Sequence, residues 1–154
     1  MKKALIISNI IFVTTTLILG YILLFTGTEM IETNDSRITV KYAPDLRDLV
    51  MSEMRDYLEV INQVHQGMAE NNPEMIVKAA NTQGAAAIAD TPARLLKLSP
   101  LACKQMGFAG HDIFQAIADS AKANYNPTTT ARQLAALTNN CVTCHKVYKV
   151  DYTN

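Results

Sequence analysis

Close to the C-terminal end the chain reads Cys141-Val142-Thr143-Cys144-His145. A C-x-x-C-H run is the signature of covalent c-type haem attachment. Two thiols three positions apart lie on adjacent faces of one helical turn, so both reach the two vinyl groups of a single haem. The histidine that follows is carried under the ring, where its imidazole binds iron from the proximal side. The other readings of such a pair are a disulfide, a redox dithiol or half of a zinc site. A zinc site of the usual kind needs a second ligand pair, and the remaining candidates are Cys103, His65 and His111. A thioredoxin-like dithiol belongs in a βαβ context, which the surrounding pattern does not supply.

Around the motif, Leu134, Leu137, Cys141, Cys144 and Tyr148 recur at 3, 4, 3, 4 spacing. That spacing predicts a last helix with the motif on its core-facing side. Asn126-Pro127 with Thr128 to Thr130 marks the turn before it. Working backward, Ser99-Pro100 starts a helix that ends near Asn124, with Cys103, Met106, Gly110, Ile113 and Ile117 along its seam. Asn72 as N-cap and Pro73 at the first helical position start another. The pattern carries that helix to about Asp90 through Ile76, Ala79, Ala80, Ala86 and Ala87. The earliest of the four runs from about Asp45 to Glu70, where Val50, Met54, Tyr57, Ile61, Val64 and Met68 repeat as a bundle seam. Four such helices with short or moderate connections predict an all-α fold, an antiparallel up-down-up-down four-helix bundle over residues 45–154. Plentiful alanine and the absence of tryptophan suit close helix packing. Turn signals are too widely spaced for an all-β sandwich.

Residues 29–44 read as a linker and extended arm. Within it Ile38, Val40 and Tyr42 alternate as in a strand that has nothing to pair with. Residues 4–26 contain no charge and amount to about 34 Å of helix, enough for a hydrocarbon core of about 30 Å. Residues 1–28 are therefore expected to be a single transmembrane signal-anchor. The run exceeds the roughly 7–15-residue core of a cleaved signal peptide, and no clear A-x-A site follows it. With Lys2 and Lys3 held on the cytoplasmic side, everything beyond crosses the membrane. The expected location is the bacterial inner membrane, single-pass, with the haem domain in the periplasm, where covalent haem attachment takes place in bacteria. Basic and acidic residues balance at 14 each, so no basic surface points to nucleic acid.

An up-down-up-down bundle sets the start of its first helix beside the end of its last. The iron's second axial ligand is therefore sought among Met54, Met51 or no methionine at all. Met54 falls on the central seam, and a His145/Met54 pair would raise the potential of the haem. Both methionines are equally readable as core filler, and Met106 is an outside candidate. His65 reads as a rim residue, His111 as structural or exposed, and Cys103 as a small buried hydrophobe. Arg47 is the first candidate to meet a haem propionate, and Lys149, one turn beyond His145, the next.

On these residues the chain resembles the class II c-type cytochromes, the cytochrome c′ family. Cys141, Cys144, His145, Tyr148 and Lys149 match the family's ending, with lysine where many members have arginine. Arg47 followed four positions later by Met51 is similar to its helix-one pattern. The resemblance covers roughly residues 45–150. It implies one covalently held haem c in a four-helix bundle. It also divides the functions by what faces the distal side of the haem. A methionine there implies a low-spin electron carrier, an apolar residue a five-coordinate haem that binds NO or another small gas. The expected function is thus a membrane-anchored periplasmic monohaem cytochrome in one-electron transfer, not an enzyme. Its partners would be periplasmic or membrane redox proteins, as a homodimer or as a subunit of a larger respiratory complex.

Overall fold

The structure, a computed structural model, describes residues 2–25 and 35–152. The chain divides into two units, Met1–Asp35 and Ser36–Asn154. The first unit is described by helix α1, Lys2–Phe25. Leu5, Ile6, Ile10, Ile11 and Phe12 are all exposed along it. The Thr16 hydroxyl donates to the Phe12 carbonyl at 2.9 Å, which keeps a polar side chain paired on its own helix.

The expected transmembrane segment needs correction. Among the described residues no helix is long and apolar enough to cross a membrane. The linker expected from residue 29 lies, up to residue 34, outside the described residues.

The second unit carries four long or medium helices: α2 (Pro44–Ala69), α3 (Pro73–Thr82), α5 (Leu101–Asn124) and α6 (Pro127–Val147). A short α4 (Ala93–Leu98) lies between α3 and α5. Two asparagines make the tight turn from α2 to α3. Asn71 takes the left-handed conformation, φ 51°. Its N–H donates to the Met68 carbonyl at 3.2 Å, and that of Asn72 to the Gly67 carbonyl at 2.8 Å. Together these form a Schellman closure. The Asn72 side chain then caps α3 by accepting from the Met75 N–H at 3.1 Å. Asn126 does the same for α6, accepting from Thr129 at 3.1 Å. The Asn72-Pro73 start stands as the sequence predicts, whereas Pro127 to Thr130, expected as a turn, form the first turn of α6 itself.

Two elements differ. The helix expected to reach Asp90 stops at Thr82 and gives way to a 3₁₀ turn over Ala85–Asp90. That alanine-rich stretch buries nothing large, so no packing draws it into a longer helix. Gln115 on α5 holds it instead, accepting from the Ala85 N–H at 3.2 Å. Residues 38–42 do have a partner. Strand β1 (Ile38–Tyr42) pairs in parallel with β2 (Tyr148–Tyr152), Ile38 opposite Tyr148 and Val40 opposite Val150. Tyr148 and Lys149 therefore leave the last helix, which ends at Val147. The all-α bundle gains a two-stranded ribbon whose connection is the whole helical domain.

α3 packs on both α2 and α5, and α5 on α6, whereas α2 and α6 touch only slightly. The main core lies away from the ribbon. Val64, Ile76, Phe114, Ile117 and Leu137 are wholly buried there. A smaller cluster of Val40, Tyr42, Leu46 and Leu95 sits under the ribbon.

Candidate functional site

The slight contact between α2 and α6 falls where the first and last helices of the bundle should meet, and a cleft opens there. It has a volume of about 300 Å³. α6 brings Cys144 and His145 to it, the early turns of α2 bring Arg47, Val50, Met51 and Met54, and α5 brings Cys103. The ribbon closes one side with Val40, Tyr42, Tyr148, Lys149 and Val150. The juxtaposition inferred from topology, His145 and Cys144 against Met51 and Met54, is thus present in the fold.

Each expected residue can be placed. His145 is exposed at the mouth of the cleft, and its backbone carbonyl accepts from Arg37 Nη1 at 3.2 Å. Cys144 is half-buried, as are Met51 and Met54. Cys141 is half-buried too but stands off the cleft, close enough to Tyr57 to raise the tyrosine's pKa. Burial is the larger cause of that rise, followed by the Glu53 carboxylate. Arg47 reaches the Asp48 carboxylate at 3.4 Å. Lys149 borders the cleft from β2, opposite Thr39, not from one helical turn beyond His145. Met106 is absent from the lining, and its carbonyl accepts from Asn140 Nδ2 at 2.8 Å. His65 is exposed and its Nδ1–H donates to the Ile61 carbonyl at 2.8 Å. His111 Nδ1–H donates to the Gln83 carbonyl at 2.9 Å, and its ring meets Tyr57 edge-on at 5.4 Å.

Three features escape the sequence reading. A second cavity of about 110 Å³ adjoins the cleft across Tyr42, Val50, Met54 and Cys103, and reaches Glu53, Tyr57 and His111. Desolvation raises the pKa of Glu53 there, with the facing His111 pulling the other way. The Tyr42 hydroxyl is 2.7 Å from Ser99 Oγ, and Ser99 Oγ donates to the Leu95 carbonyl at 2.7 Å. The serine's one proton is committed to that carbonyl, so Tyr42 is the donor in the first bond. This chain fastens β1 to α4. The third feature is Cys103, whose thiol meets that of Cys144 across the cleft. A thiol–thiol hydrogen bond lowers the pKa of Cys103 to about 7 against the opposing effect of burial, and pushes that of Cys144 up, where burial acts in the same direction. Helical periodicity placed Cys103 on a seam but could not name its neighbour.

The fit of a haem rests on this donor set. Among the described residues no group of three or more His, Cys, Asp or Glu is arranged to hold a metal ion. A haem iron takes four nitrogens from its macrocycle and asks the protein for one or two axial ligands. The residues that would supply such ligands, His145 and a methionine of α2, border the same cleft. The cleft lies at the lower end of the about 300–1,000 Å³ of cofactor sites, and the adjoining cavity extends it. Its walls are mainly apolar, with Arg37, Arg47 and Lys149 among the lining residues. Comparison with family models, characterised proteins and solved structures finds no match for the chain.

Proposed function

We propose that this chain holds one haem c covalently and works as a one-electron carrier. One observation carries the reading: a single cleft is bordered by His145 and Cys144 from one helix and by Met51 and Met54 from another. A haem held there supplies the ferrous–ferric couple. The chain's own residues do the rest. Cys141 and Cys144 fix the group to α6, and His145 sets its orientation. A methionine sulfur from α2 favours the reduced state. Val40, Val50 and Val150 keep water from the cleft wall, and Arg47 and Lys149 offer cations to carboxylates. An oxidising, extracytoplasmic compartment and redox-protein partners belong to the same proposal.

The second reading, a five-coordinate haem that captures a small gas such as NO, is favoured by the cavity of about 110 Å³ beside Met54. Visible spectra of the reduced holoprotein decide between them. Sharp α and β bands with no change under CO are expected for the carrier. Broad bands that shift at once under CO support the gas-binding reading. An intact mass equal to the bare polypeptide, after expression in a host competent for attachment, overturns both.

A further inference from the structure

The motif claims two of the chain's three cysteines and leaves Cys103. α5 carries Cys103 to the same cleft as Cys144, while Cys141 stands outside it. Cys103 and Cys144 thus border one cleft from two different helices, and all three cysteines are free. Packing therefore gives Cys144 a neighbour on another helix, distinct from its neighbour in the motif. Covalent haem attachment to such a motif takes place in an oxidising compartment, where adjacent thiols become disulfides.

We propose that Cys103 and Cys144 form a disulfide joining α5 to α6, and that this bond competes with haem attachment at Cys144. The oxidant is an external disulfide, either glutathione disulfide or that of a thiol-oxidising protein. One cysteine loses its proton and attacks the external disulfide, forming a mixed disulfide and releasing one thiol. The second cysteine loses its proton and displaces the other half. Two electrons and two protons pass to the external disulfide, which leaves as two thiols. Thioether formation adds a sulfur–hydrogen bond across a vinyl group, so Cys144 takes part only while reduced. The cross-link stands on the two cysteines bordering one cleft, whereas the competition rests on the haem reading above.

The two parts are tested separately. The full-length chain without haem is equilibrated in glutathione buffer, alkylated and digested with trypsin without reduction. Cleavage after Lys97, Lys104, Arg132 and Lys146 puts Cys103 in residues 98–104 and both motif cysteines in residues 133–146. Mass analysis is expected to find these peptides joined in the wild type and in Cys141→Ser, and separate in Cys144→Ser. Absence of the joined peptides from the wild type, or their persistence in Cys144→Ser, overturns the cross-link. In the second arm ferrous haem is offered in oxidising and in reducing buffer, and attachment is scored by intact mass. The ratio of attachment, oxidising to reducing, should be several-fold higher in Cys103→Ser than in the wild type. Equal ratios overturn the competition and leave the cross-link standing. No attachment to any variant in reducing buffer overturns the haem reading and the competition with it, while the peptide result is unaffected.

Discussion

At the end of the helical domain away from the ribbon, Val64, Ile76, Phe114, Ile117 and Leu137 from four helices are wholly buried. At the motif end, Met51, Met54, Cys103 and Cys144 are only half-buried and border an open cleft. The same 3–4 seam runs through both ends of α2. What differs is what stands opposite. Phe114 fills the space facing Tyr57 with ring centroids 5.0 Å apart, whereas the early turns of α2 and the end of α6 border an open cleft. Periodicity sets which face turns inward. Side-chain volume decides whether the inside closes, and a bundle that keeps its seam while leaving one end open has room for a second molecule.

The sharpest way to break this contrast is to cut equivalent bulk from each end. Phe114→Ala is expected to cost about 3–5 kcal/mol, read as a fall in the urea midpoint. Met54→Ala should cost no more than about 1 kcal/mol in the haem-free chain. Comparable losses would mean the motif end is as tightly packed as the other. Next come two glycines. A Cβ at Gly67 would sit 2.7 Å from Ile76 Cγ1 and 3.2 Å from the Asn72 carbonyl, while one at Gly107, beside the smaller cavity, would meet nothing within 4 Å. Gly67→Ala should therefore destabilise by about 1–3 kcal/mol. Gly107→Ala should stabilise by roughly 0.5–1 kcal/mol, because alanine gives up less backbone freedom in a helix. Thermal unfolding of the two variants, shifted in opposite directions, checks both.

The smallest expected effect is a pH slope. Burial raises the pKa of Glu53 in the folded chain, so the native state holds that proton more tightly than the unfolded one. Its stabilising contribution is full below the ordinary carboxyl range and is lost as pH rises through and beyond that range. Glu53→Gln should accordingly lose less stability than the wild type between pH about 4 and pH about 7, measured by urea unfolding at each. An identical slope in both proteins would mean Glu53 is solvated like a surface carboxylate.

The start of α3 was legible because an asparagine followed by a proline is a local signal, complete within four residues. Cys144, His145, Met51 and Met54 could be brought together from topology, since an up-down bundle leaves few places for its ends. The stop at Thr82 was not legible, because the carboxamide that holds the following turn belongs to Gln115 on another helix. Tyr148, Val150 and Tyr152 do alternate as a strand would, but the helical seam running into Tyr148 masked that signal. The apolar N-terminal run gave the expectation of a membrane span, which no helix among the described residues meets. That Cys103 and Cys144 border one cleft depends on how two helices rotate against each other, which no single-helix pattern records.

The ribbon has a mechanical consequence. β1 enters the helical domain and β2 leaves it, paired in parallel with Ile38 opposite Tyr148 and Tyr42 opposite Tyr152. A pull applied at the two outer ends of such a pair loads its rungs together in shear, so they cannot open one after another. In a single-molecule stretching trace the ribbon should fail in one rupture before any helix lengthens. Until it does, the first turns of α2 and the last turn of α6 stay side by side under load.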